Sequence, residues 1–302
     1  MNNTLFPALP LADWKDTKET LHRYFQIVGK LRLSQMPKDN HWWHITLYVT
    51  NSGVATGAIP QGDFTFEVAF NFLNHELLVT TSKGDVRSFA LHDGLSVADF
   101  YRQLGTILQE LQIGFDILAR PYNLADNVPF QECTMHHTYD KGAVHTAWRI
   151  LVQVDMILKE FGGRSYSKTC PVHIYWHHLD LVVTRFSGKK APDLGNVSQV
   201  EREAYSHEVI SFGFWFGDDT ITEPAFYSYT YPAPPGLDKE PLLPKSAKWQ
   251  DANGSPMALL MYDDVRNHEN PKQEILNFLE SSYKAGARLA GWDLEALKVP
   301  AE

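Results

Sequence analysis

Apolar residues recur at helical spacing in four stretches of the chain and alternate with polar residues in most of the rest. The first pattern, Leu21, Tyr24, Phe25 and Val28, predicts a helix from near Asp16, where Asp16 with Glu19 forms a candidate capping box. A second helix opens at Ser96, with Asp99 three residues on, and places Val97, Phe100, Leu104, Ile107, Leu108 and Leu111 on one face. Residues 141–161 predict a long helix, apolar around so much of its circumference that it needs cover on more than one side. The last helix begins at Asn270, with Pro271 at its first position and Gln273 three residues past the cap. Between these, alternation predicts strands over 45–50, 64–72, 76–81, 86–91, 113–118, 172–186, 207–215, 225–231 and 257–262. The prolines of 232–244, "PAPPGLDKEPLLP", keep that segment out of any central strand.

Helix, about four strands, helix: this order occurs twice. "WWHITLYVT" at 42–50 and "WHHLDLVVT" at 176–184 agree at Trp, His, Leu, Val and Thr. At roughly 6% background identity per position a match of that size arises by chance in a chain this long, so the order of further echoes carries the argument. A Ser-Gly follows each segment, "EVAFNF" at 67–72 meets "EVISFGF" at 208–214, and "LHRYF" and "VHTAW" place a histidine similarly in each opening helix. We therefore expect an ancient duplication with halves near 13–112 and 113–292. The fold class expected is α+β, each half a curved, mainly antiparallel sheet with helices packed on one face. Residues 120–139 include Val128 and Phe130 and lack the polarity of a linker, so 1–302 is read as a single integrated unit.

Composition narrows the function classes. Hydrophobic content of 44% with 21% charge suits a full globular core, and 13% aromatic residues favour packed sheets or an aromatic-lined pocket. A net charge of −9, with no basic run longer than Lys189-Lys190, argues against nucleic acid. The start "MNNTLFPALPLADW" lacks the basic and apolar regions of a signal peptide, and no stretch approaches about 18 uninterrupted apolar residues. A cytoplasmic protein with no membrane partner is expected. Cys133 and Cys170 cannot build a disulfide framework and read as reduced core residues.

From "LADWKDTKETLHRYFQIVGKLRL" and "NHWWHITLYVT" onward the chain resembles a family of uncharacterised bacterial proteins, domain of unknown function family 5996. The likeness runs through "SVADFY", "CPVHIYWHHLDLVVTRFSGKKAP", "EAYSHEVISFGFW", "AFYSYTYP" and "FLESSYKAGARLAGWD", nearly the whole length. Where the family reads closer to "FFWGSFDLAVTRFSGR" this chain has "IYWHHLDLVVTRFSGK", and "GFWFG" stands for "GFWPG". The first departure weakens any essential role for His177 and His178. The resemblance implies one integrated unit and brings neither activity nor cofactor.

Candidate chemistry concentrates in 172–186 and 207–215. Acid–base roles fall to His207, Glu208 and His173, since histidine exchanges protons near neutrality beside a carboxylate. Ligand contacts fall to His178, Asp180, Arg185, Tyr205 and Trp215. In a continuous strand, His173 and Arg185 share one face while His178 and Asp180 share the other. An arginine beside imidazoles suits an anion, so the face with His173, Arg185 and His207 is favoured, supported by the turn-like "TRFSGKKAP". No HExxH, CxxC pair, Asp-rich loop, Walker loop or GxSxG appears, so no metal and no cofactor is assigned. The expected function is binding of an anionic or aromatic small molecule. The alternative is a metal-independent hydrolase or lyase using the histidine and glutamate groups. Whether the protein is an enzyme, and its oligomeric state, stay open.

Overall fold

Side-chain caps start three of the helices where the pattern puts them. In the computed structural model, which describes residues 5–300, Ser96 accepts the Asp99 N–H, Asp140 that of Ala143, and Asn270 that of Gln273. The first helix departs from expectation. α1 (Leu11–Gln35) begins after Pro10, five residues before Asp16, and bends at Trp14, whose φ is −143°.

A 3-10 turn, Asn40–Ile45, follows, with His41 and Trp42 in left-handed backbone at φ 53° and 63°. The expected strand 45–50 is thereby cut to β1 (Tyr48–Val49). Then come β2 (Gly53–Ala55), β3 (Ile59–Gln61), β4 (Phe64–Asn71), β5 (Glu76–Thr81), β6 (Val86–Ala90) and α2 (Val97–Glu110). Residues 113–118, expected as a strand, pair with nothing as a ladder and run as irregular chain. α3 (Lys141–Gly162) leads to β7 (His173–Tyr175), β8 (Asp180–Lys190), α4 (Gln199–Ala204), β9 (His207–Trp215) and β10 (Ala225–Tyr231). A hairpin of β11 (Lys248–Ala252) and β12 (Ser255–Met261), a short α5 (Tyr262–Arg266) and α6 (Pro271–Leu289) complete the chain. The single strand expected over 172–186 is in fact the hairpin β7–β8, with 176–179 as its turn and Leu179 at φ 58°.

The class is α+β with two antiparallel six-stranded sheets. One runs β1-β2-β4-β5-β6 with β3 on β4, and the other β11-β12-β10-β9-β8-β7. A bridge between Leu47 and Ile174 joins them edge to edge. As its apolar circumference requires, α3 packs on β8, β1, α1 and α6 together. With α6 it covers the face of the second sheet that carries Leu181, Val183, Ile210, Phe212 and Phe214, all buried. α1 passes close enough to the β7–β8 turn that a Cβ on Gly29 would lie 2.1 Å from the Trp176 ring, whose Nε1 donates to the Ile45 carbonyl. Among the described residues no helix lies flat against the other face of the second sheet, and there the chain leaves a groove. No helix among the described residues is long and apolar enough to cross a membrane.

Candidate functional site

Strand parity decides which residues reach the groove. His173 pairs with Val182, Tyr175 with Asp180, and Asp180 with Trp215. Because the four-residue turn intervenes, the odd positions of β7 join the even positions of β8. Asp180, Val182, Thr184 and Phe186 therefore share a face with Ser211 and Trp215 of β9 and with Tyr227 and Tyr229 of β10. This face floors a groove of about 1210 Å³. Its walls are the first half of α1, the 3-10 turn with Trp42 and Trp43, the loop 122–126, α4 and the β11–β12 hairpin. The left-handed pair His41-Trp42 lets both tryptophans line the groove, where a strand would have sent them to opposite sides.

The floor is a set of phenols around one carboxyl group. Tyr227 Oη donates to Asp180 Oδ2 at 2.6 Å, and the Tyr205 and Tyr229 hydroxyls meet at 3.0 Å. Asp180 is 8% exposed, and its Oδ1 is buried without a hydrogen-bond partner. Burial holds its pKa above the ordinary carboxylate value, with the Tyr227 hydrogen bond pulling the other way. Burial also raises Tyr227, Tyr229 and Tyr175 well above the usual phenol value, so all three stay protonated donors. The Trp215 Nε1–H, on Asp180's cross-strand neighbour, is buried and likewise without a partner. Gly213 makes this geometry possible: a Cβ there would come within 2.5 Å of the Tyr227 Oη, so the bare backbone lets the ring reach across β9.

Histidines tie the walls to the floor. His22 of α1 donates from Nε2 to the Trp176 and His177 carbonyls, 3.0 and 3.2 Å away. Burial pushes His22 and His177 down to about 3, so both are neutral near pH 7. At the far end His41 contacts Phe186 and, ring to ring at 5.7 Å, His207.

Of the residues singled out in the sequence, Asp180, Tyr205 and Trp215 stand together on the floor, with His178 exposed at its edge. Arg185 is absent from it. Its side chain points to the helix side, 1% exposed, between the rings of Phe161 and Tyr283 at 3.7 and 4.4 Å. His173 and Arg185, expected on one face, therefore fall on opposite ones, because the 172–186 segment is two strands rather than one. His173 lies fully buried with its ring 4.7 Å from that of Tyr175, pushed by burial to about 3. Glu208 points away from His207 and accepts from Ser187 Oγ and Trp292 Nε1. His207, Glu208 and His173 therefore do not converge. Nor is "TRFSGKKAP" an open anion loop: β8 continues to Lys190, and Lys189 Nζ donates to the Gly291 carbonyl.

The phenols of Tyr175, Tyr227 and Tyr229 were missed. Their signal was present in "AFYSYTYP", where tyrosines at every second position must share a face. On the groove's rim stands a second group, Asp126, Cys133 and His136, whose ligand-type atoms all lie within 4.8 Å of one another.

The model of the family of unknown function DUF5996 matches residues 6–299. No curated protein and no solved structure matches the chain. The protein belongs to DUF5996.

Proposed function

We propose that this member of the family binds a small aromatic ligand carrying a cationic, hydrogen-bond-donating nitrogen, with the nitrogen at Asp180. The observation that carries this reading is the partnerless, buried Oδ1 of Asp180 in a cleft walled by aromatic rings. Burying a carboxylate is costly unless it is paired, and a ligand ammonium both pairs it and gains from the faces of Tyr227 and Trp215. Trp215 Nε1–H offers a donor alongside for an acceptor on the ligand. An anionic ligand has less support, because the groove's cations are already engaged. Lys15 pairs with Asp219, Lys18 donates to the Gly217 carbonyl, and Arg23 holds Glu19 and Asp126. Binding also stands ahead of acid–base catalysis, since the three residues suggested for catalysis lie apart.

Tryptophan emission titrated with phenethylamine and, separately, phenylacetate tests this. The amine should bind and the carboxylate should not, and Asp180→Asn should weaken the amine by at least about tenfold, or 1.4 kcal/mol. Equal binding of the two probes, or an Asp180→Asn variant with unaltered affinity, would sink the proposal.

The internal duplication stands as a proposal of the same kind. Each half opens on a helix, continues through an antiparallel sheet and closes on a helix, and 42–45 and 176–179 each form a turn leading toward a strand. Superposing 13–112 on 113–292 tests it. Unrelated neighbours for the two leading strands would refute it.

A further inference from the structure

We propose that Asp126, Cys133 and His136 form a binding site for a zinc-type divalent cation at the rim of the groove. One carboxylate, one thiol and one imidazole are the donor set that zinc takes, and three protein donors leave a position for water or a ligand. The ligand-type atoms are already gathered within 4.8 Å, and Asp126 Oδ2 and His136 Nε2, hydrogen-bonded at 2.9 Å, need to part by only a few tenths of an ångström to reach the roughly 3.3 Å between two ligands on one tetrahedral ion.

The backbone is built for it. The first N–H groups of α2 pin the segment that carries two of the donors: Ala98 donates to the Cys133 carbonyl and Val97 to that of His136, both at 3.0 Å. Asp126 is oriented in turn by the Val128 N–H on Oδ1 and by Arg23 on Oδ2, the kind of support that ligating carboxylates receive.

Arg23 does not veto a cation. Glu19 pairs with the same guanidinium at 3.1 Å, so that pair is neutral. A divalent ion then balances the Cys133 thiolate and the Asp126 carboxylate, leaving no net charge. Binding displaces the thiol proton to solvent, and the His136 ring takes the tautomer that frees its coordinating nitrogen. A cysteine–histidine nucleophile is the weaker reading of the same residues, because Cys133 is 1% exposed and its sulfur lies out of substrate's reach. Asp126 and His136 do line the groove, so the open coordination position faces it. This inference does not depend on what the groove binds.

Chelator-treated full-length protein titrated with Co²⁺ and Zn²⁺ gives the test. One Co²⁺ per chain should bind with a tetrahedral visible spectrum and a thiolate-to-cobalt charge-transfer band, and Zn²⁺ should displace it. Cys133→Ser should abolish that band, Cys170→Ser should leave it intact, and His136→Gln should weaken binding by more than the roughly 10–100-fold that loss of an outer-shell partner costs. If Cys133→Ser fails to fold, the band in the wild-type protein and the His136→Gln affinity still decide. No cation bound at micromolar concentration, a cobalt spectrum without the thiolate band, or a band lost in Cys170→Ser would overturn the site.

Discussion

Arg185 tests the assignment of faces most directly, through the paired substitutions Arg185→Met and Arg185→Ala. The guanidinium sits between Phe161 and Tyr283 and donates to the Phe161 carbonyl at the end of α3, where a cation also suits the helix dipole. Burial nevertheless pulls its pKa down to about 10, a penalty of about 3 kcal/mol on the charged form. Two cation–π contacts out of water return about 2 kcal/mol each. These sides nearly cancel, so Arg185→Met should stay within about 1–2 kcal/mol of the wild-type stability. The Phe161 carbonyl keeps a partner in that variant, because the Arg164 N–H also reaches it at 3.1 Å. Arg185→Ala instead opens a cavity between α3, α6 and β8 and should cost about 3–5 kcal/mol. Urea unfolding with an unchanged m-value measures both, and phenethylamine affinity should not move in Arg185→Met. Equal losses in the two variants would mean that the charge itself holds helices to sheet, and the balance drawn above would be wrong. A stable Arg185→Met that no longer binds the amine would return Arg185 to the site.

Asp180→Asn should stabilise the protein at neutral pH as well as weaken amine binding. The folded pKa of Asp180 lies above its unfolded value, so its contribution is fully present below the unfolded pKa and is lost as pH rises through the folded one. The stability gap between variant and wild type should widen from acid to neutral pH; a gap independent of pH would refute the assignment. Gly213→Ala should push the Tyr227 hydroxyl off Asp180 and cost about tenfold in phenethylamine affinity, whereas unchanged affinity would show that this phenol does not shape the site. Gly29→Ala gains up to about 1 kcal/mol of helix propensity but drives a Cβ into a tryptophan anchored by its own hydrogen bond. A net loss of about 2 kcal/mol in thermal unfolding is expected, and a raised Tm would count against the contact. Residues 1–119 expressed alone should aggregate, because the core is continuous through both sheets, and a soluble fragment that unfolds cooperatively would refute that.

What could be read along the chain was whatever is decided within a few residues. Ser96, Asp140 and Asn270 each meet an N–H three residues on, so their helices start where the pattern says. The strands 207–215 and 225–231 were legible to the residue because one face is apolar or aromatic and alternation is local. Strand 113–118 failed for the same reason: Ile113, Phe115 and Ile117 alternate, yet no neighbouring strand offers a ladder, and alternation cannot supply one.

The sequence by itself determined the class, the caps at Ser96 and Asn270 and the central strands, and it named Asp180, Tyr205 and Trp215 without deciding which face they share. Only the tertiary structure decided which face of the second sheet is open. That choice turned on the four residues 176–179, where a turn anchored by Trp176 on α1 reverses the chain and shifts strand parity. It set His173 and Tyr175 on the side of Asp180 and left Arg185 on the other, because a side-chain period of two inverts every assignment when one register step is misplaced. The rim cluster escaped for a related reason: Asp126 and Cys133 meet only because Arg23 and the start of α2, distant in sequence, hold their loop in place.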